Sequence, residues 1–182
     1  MKKLSFLENL EFILIFLAIF LPVRFFIFEP FVVIGESMEP NFHSADYLII
    51  CKICIKLGRV NRGDVIIFRP AVDESKYYIK RVIGLPNEKI HLKGNEIYIY
   101  NKEHPEGFKL EENYLTDKNF YMEEQIFELK DNEYLVLGDN REESYDSRKW
   151  GPLDGNRIIG KVILRVNFLS RLIKVIHFNK TL

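Results

Sequence analysis

Apolar positions along this chain fall into two regimes. Residues 12–23 read FILIFLAIFLPV without a charge, and after Arg24 the run continues as FFIF to Phe28. That is an apolar stretch of about 17 residues, the short end for a helix that crosses a bilayer. Apolarity on every face argues against a helix buried in a soluble domain, which would keep a polar stripe. The residues that follow, VRFFIFEPFVV, are bulky and offer no small-x-small cleavage site, so the segment reads as an uncleaved anchor and not as a removable leader. Pro22 is tolerated in a membrane helix, and Arg24 near the end can snorkel to the interface. Lys2 and Lys3 precede the segment, which places that end in the cytoplasm and everything after residue 28 outside it.

Beyond residue 28 the pattern changes to short apolar runs, rich in β-branched and aromatic residues and bounded by Gly, Pro, Asn and Asp. DYLIICKICI, GDVIIFRP, YYIKRVIGLP, EIYIYN, EYLVLGD and RIIGKVILRV predict strands. The fold class expected is mostly β and antiparallel, behind an N-terminal transmembrane helix. In YYIKRVIGLP the two-residue period puts Tyr78, Lys80 and Val82 on one face and Ile79, Arg81 and Ile83 on the other. Between residues 87 and 132 the composition turns charged, which predicts a small inserted β subdomain facing solvent, without a chemical motif. The C-terminal NFLSRLIKVIHF is too short and too charged for a second span. It reads as a last packing element or an interfacial segment. The organisation expected is therefore a cytoplasmic N-terminus and anchor over 1–28, a β core over 29–86 and 133–170, an inserted subdomain over 87–132 and a tail over 171–182.

Charge narrows the partners. Among 182 residues, Lys and Arg number 26 and Asp and Glu number 26, so the formal net charge is zero. Without a basic surplus there is no footprint for nucleic acid. Cys51 and Cys54 form a CxxC pair, but a zinc site needs two more ligands, and His43, His91, His104 and His177 are scattered. No metal is expected. The pair lies in a run read as a strand, where positions i and i+3 face opposite ways. That favours two small apolar strand residues, with a disulfide in an oxidising compartment as the alternative.

Three places can carry chemistry. Ser37, in GESMEP, follows the anchor by about nine residues and so stays within about 30 Å of the membrane surface. Gly35 and Pro40 around it predict a tight turn. Lys80 sits in an otherwise apolar strand, and a lysine on a buried face loses hydration, which disfavours its charged form and lowers its pKa, so its neutral amine can act as a base. The third is GDNREESYDSRKWG, residues 138–151, dense in Asp, Asn, Arg and Ser. It suits either a plain surface loop or one that organises a site.

With these residues the sequence resembles the bacterial type I signal peptidases, in a Gram-positive-like form. FEPFVVIGESMEP, RGDVIIFRP, YYIKRVIGLP and GDNREESYDSR match that family's motifs in order behind an N-terminal anchor, over nearly the whole chain. The resemblance implies a membrane-bound serine endopeptidase that removes signal peptides from secreted preproteins, cutting after small residues in an Ala-x-Ala pattern. It implies Ser37 as nucleophile, Lys80 as general base, Ser144 orienting the lysine amine, and Asp146 with Arg148 as a structural ion pair. The Ser37 N–H would be an oxyanion donor; Gly35 stands where many Gram-negative members add a serine hydroxyl. Shallow apolar substrate pockets would be lined by Phe31, Val33, Ile34, Met38, Tyr78 and Ile79. No cofactor and no obligate protein partner are implied; the partners are preproteins and membrane lipid. The chain departs from the pattern at Asn87-Glu88, where the family usually has Gly-Asp, and Glu36 and Glu39 beside the nucleophile would favour a protonated Lys80. Other readings are a specialised Ser-Lys processing peptidase for pilus or conjugation maturation, and a non-catalytic, membrane-tethered module that binds signal peptides.

Overall fold

The computed structural model describes residues 2–58, 60–116 and 120–166. Helix α1 spans Lys2–Pro22. Proline lacks the N–H that would bond to the carbonyl four residues back, and the chain leaves the α-helical path there for a wider π turn, Val23–Ile27. It then enters strand β1, Phe28–Val32. The apolar run expected to be one helix to residue 28 is thus divided at Pro22. Phe12, Ile13, Leu14, Ile15, Phe16, Ile19 and Phe20 of α1 are all exposed. Among the described residues, no helix is long and apolar enough to cross a membrane.

The body is β. Strand β2 covers Tyr47–Cys51 and is followed by a one-turn helix, α2, Ile53–Lys56. Then come β3 (Val65–Phe68), β4 (Tyr78–Gly84), β5 (Lys89–Gly94), β6 (Glu96–Tyr100), β7 (Phe108–Lys109), β8 (Met122–Glu128) and β9 (Glu133–Leu137). The chain ends its described part with α3 (Ser147–Trp150), β10 (Leu153–Asp154) and β11 (Ile158–Val166). Seven strands make one sheet, ordered β1-β2-β11-β3-β4-β9-β10, and four make a second, ordered β7-β6-β5-β8; every pairing is antiparallel. The sheets share a core in which Ile83, Leu135 and Leu137 of the first pack with Ile90, Leu92, Ile97, Ile99 and Met122 of the second. Those nearly water-free side chains tie the charged second sheet to the first by apolar burial.

The cysteine reading is corrected. Cys51 and Cys54 form a disulfide, with Cα atoms 5.5 Å apart. The expectation assumed one continuous strand, but β2 stops at Cys51 and the chain curls into α2, where residues three apart lie on the same side. The C-terminal segment expected to pack last lies outside the described residues.

Candidate functional site

Ser37 lies on the turn that joins β1 to β2, over residues 33–46. The base of that turn is closed by Val33 N–H to the Asp46 carbonyl (2.9 Å) and Ala45 N–H to the Val33 carbonyl (2.9 Å). Asp46 accepts further bonds from His43 N–H at 2.7 Å and pairs with Arg165 at 2.7 Å. Gly35 has φ of +102°, in the region where a Cβ is strained, and this reversal lifts Glu36 and Ser37 out of the strand path. Met38, one residue on, is 1% exposed. It plugs the turn into the body while Ser37 stays at the surface of a cleft. Met38 therefore is not among the residues that line the cleft, contrary to what the resemblance implied: its side chain fills the interior beneath the turn, out of reach of the open side.

Lys80 comes from β4, which lies between β3 and β9 in the large sheet. Its face carries Tyr78 and Val82 over Ile66, Phe68 and Val136, and Lys80 itself is 4% exposed. Its Nζ donates to Ser37 Oγ at 2.7 Å and to the Ile79 carbonyl at 2.9 Å. Burial brings the amine from the ordinary 10.5 down to about 8; Asp146 and Asp139 pull it upward, Arg148 pushes it down, and desolvation wins. The carboxylates that act on it belong to the 138–151 loop, and Glu36 and Glu39 beside the nucleophile are not among them.

That loop clamps the nucleophile. Asn140 N–H donates to the Ser37 carbonyl at 3.1 Å, and Asn140 Nδ2 donates to the Glu36 carbonyl at 3.3 Å. The two peptide units flanking Ser37 are held by one residue. Gly138 packs so closely that a Cβ there would collide with the Ser37 carbonyl oxygen and with Ser144 Oγ. Asp146 is fully buried; it accepts from Gly138 N–H (3.0 Å) and pairs with Arg148 at 2.8 Å. Arg148 in turn donates to the Arg141 carbonyl at 2.7 Å. Behind it, Arg81 makes two bonds to Asp139 (2.8 and 2.6 Å), and Asn41 of the nucleophile turn donates to the same carboxylate at 2.9 Å. Ser144 lies beside Gly138, but its buried Oγ makes no hydrogen bond, so the expected bond from Ser144 to the Lys80 amine is not formed here.

The cleft beside Ser37 has a volume of about 630 Å³. Phe31, Val33, Ile34, Tyr78 and Ile79, named from sequence, line it together with Gly35. Leu48 of β2, Ile67 of β3, Tyr77 and Tyr145 complete it, with Lys76, Glu36 and Glu143 as charged lining groups. Phe31 and Tyr77 meet edge to face with centroids 5.1 Å apart, and Arg69 holds the Tyr77 hydroxyl at 2.6 Å. Leu48 stands outside the motif strings and Ile67 inside RGDVIIFRP, and only strand pairing brings β2 and β3 under the turn. Tyr77 and Tyr145 stood inside the motif strings. Asn140 and Gly138 stood there too, with nothing local to mark the clamp. Among the described residues no group of three His, Cys, Asp or Glu side chains is placed to hold a metal ion.

Chemically, the arrangement pairs a hydroxyl with a buried amine that loses its proton near neutrality, on the wall of an apolar cleft. The chain is similar to known proteins. A family model described as "Signal peptidase, peptidase S26" matches residues 6–167. The chain is 33% identical over 169 residues to "Signal peptidase I" of Bacillus licheniformis, covering 87% of each chain. It is 34% identical over 178 residues to "Signal peptidase IB" of Staphylococcus aureus, covering 91% of each. A solved signal peptidase I from Enterococcus faecalis V583 superposes with a TM-score of 0.49 at 28% identity, over 58% of this chain and 97% of that one.

Proposed function

The chain belongs to the signal peptidase family, peptidase S26, and from that premise we propose that it is a membrane-anchored serine endopeptidase that cuts preproteins by a Ser37/Lys80 dyad. The observation that carries the proposal is the 2.7 Å contact between Lys80 Nζ and Ser37 Oγ, made by an amine that burial has brought to about 8. A neutral amine has two N–H groups and one lone pair. One N–H is spent on the Ile79 carbonyl, which leaves the lone pair free to accept the Ser37 proton as Oγ attacks the scissile carbonyl. The resulting ammonium then protonates the leaving amine, and a water repeats the sequence to release the acyl group. Serine and lysine supply both nucleophile and base, so the mechanism calls for no cofactor.

The Ser37 N–H is the proposed oxyanion donor. Its direction follows from the grip of Asn140 on the Glu36 carbonyl, which belongs to the same peptide unit. The Asp146–Arg148 pair supports the 138–151 loop that delivers Asn140. The apolar cleft supports a preference for small side chains at the positions called −1 and −3, since bulky walls such as Phe31, Tyr77 and Ile79 reject large ones sterically. The apolar, exposed α1 supports an anchor role, with the N-terminus cytoplasmic and the β body outside. The Cys51–Cys54 disulfide suits that oxidising side.

The test is to mix the detergent-solubilised protein with a preprotein bearing an Ala-x-Ala signal peptide and to locate the cut by mass spectrometry. Cleavage after the second alanine by wild type, and none by Ser37→Ala or Lys80→Ala, is expected. Cleavage that survives Lys80→Ala, or a folded wild type that leaves the preprotein whole, overturns the proposal.

A further inference from the structure

We propose that Glu112, in the segment between β7 and β8, is a positioning residue for the nucleophile, acting through Arg141 on the backbone that grips Ser37. The inference rests on the reading of Ser37 as nucleophile. Glu112 and Arg141 are 5% and 4% exposed, a charge pair almost wholly out of water. The Arg141 fork meets the Glu112 carboxylate with two N–H groups, Nη1 at 3.1 Å to Oε2 and Nη2 to Oε1. The third guanidinium nitrogen, Nε, donates to the Gly138 carbonyl at 3.1 Å. Gly138 is therefore held on its carbonyl by Arg141 and on its N–H by Asp146. It abuts the Ser37 carbonyl directly, and two residues on Asn140 binds the peptide units on both sides of Ser37.

The same segment reaches the other half of the site. The Tyr114 hydroxyl donates to Glu112, and the Tyr114 carbonyl accepts from Asn41 Nδ2 at 2.9 Å. Asn41 belongs to the nucleophile turn and also bonds Asp139. Arg81, which holds Asp139, lies over the Tyr114 ring at 4.0 Å. A segment of the second-sheet region thus braces both the turn that carries Ser37 and the loop that clamps it. Desolvating two charges offsets most of what their attraction contributes, so a buried pair is a poor source of stability; what it adds here is a fixed geometry. Arg141 can aim Nε at Gly138 only while its fork is docked on a carboxylate that does not move. Glu112 does not line the cleft, so its loss should affect the chemical step and spare binding.

The experiment compares wild type, Glu112→Gln and the double variant Glu112→Leu/Arg141→Met in detergent. The double variant replaces the pair by apolar groups, a change that buried pairs often tolerate without loss of stability. For each, kcat and KM are measured on the Ala-x-Ala preprotein, the folded fraction by thermal unfolding, and hydrogen exchange at the Asn140 amide. Both variants should show kcat per folded molecule reduced roughly 10- to 100-fold with KM within about two-fold, and faster exchange at Asn140 while β3 and β4 stay protected. A double variant with wild-type kcat, or a loss explained entirely by unfolded protein, overturns the inference. Should wild type leave the preprotein whole, the peptidase reading fails by itself. Asn140 exchange then decides the brace: unchanged protection in both variants overturns it.

Discussion

Replacing Lys80 by methionine should separate the cost of burying the amine from its use. The folded protein holds this amine at about 8 against the ordinary 10.5. Between those values the unfolded chain binds more protons than the folded one, so stability rises with pH across that window. Below about 8 both states are protonated and the full cost is present, about 3 kcal/mol at 1.36 kcal/mol per tenfold change in acidity; above 10.5 it has vanished. Methionine is of similar length and carries no charge, so the Lys80→Met protein escapes this term. It loses two hydrogen bonds, to Ser37 Oγ and the Ile79 carbonyl, at about 1 kcal/mol each and without pH dependence in this range. The stability of Lys80→Met relative to wild type should therefore fall by about 3 kcal/mol from pH 7.5 to 10.5. Urea unfolding in mild detergent reads it, followed by the fluorescence of Trp150, the single tryptophan, which packs on Phe68. All other side chains are the same in both proteins, so their contributions cancel to first order in the difference. In parallel, wild-type kcat/KM should rise with an apparent pKa near 8, because about 10% of the amine is neutral at pH 7, against about 0.03% for an unshifted lysine. A stability difference constant to within about 0.5 kcal/mol across the window, or activity that climbs only above pH 10, would refute the argument.

Gly138→Ala should cost about 1–3 kcal/mol of stability from overpacking, and it should reduce kcat per folded molecule well beyond that, because the new methyl meets the Ser37 carbonyl. Unfolding and turnover measured on one preparation separate the two effects, and wild-type turnover would show that Ser37 tolerates displacement. Breaking the disulfide with Cys51→Ser/Cys54→Ser should lower stability by about 2 kcal/mol, the value for so short a loop. Unfolding midpoints that match with and without reductant would deny the bond a stabilising role. Ile79→Ala opens the cleft wall and should narrow the preference for small residues at −1 or −3 by roughly tenfold. Competition between an Ala-x-Ala substrate and one bearing leucine at either position checks it, and an unchanged ratio would move specificity elsewhere.

Much of this protein was legible one residue at a time. Short apolar runs rich in β-branched and aromatic residues and closed by turn residues, as in YYIKRVIGLP and EYLVLGD, are local signals, so β4 and β9 follow from local pattern. The order of the motif strings carried the family, and Ser37 and Lys80 were singled out within them. Local pattern failed where the chain changes direction. It extended one helix through Pro22 and one strand through Cys51 and Cys54; the placing of Met38 on the cleft came from the family resemblance instead.

Tertiary structure alone decided the rest. Ser37 and Lys80 are 43 residues apart, and they meet because the β1–β2 turn folds onto β4 across strands that only sheet pairing brings together. The acidity of Lys80 depends on how completely its neighbours exclude water, a property of the packed core and of no single residue. Asn140 and Glu112 are ordinary polar residues in sequence. They acquire roles from partners 103 and 29 positions away, Ser37 and Arg141, because hydrogen bonds form between groups the fold brings within about 3 Å, whatever their separation along the chain.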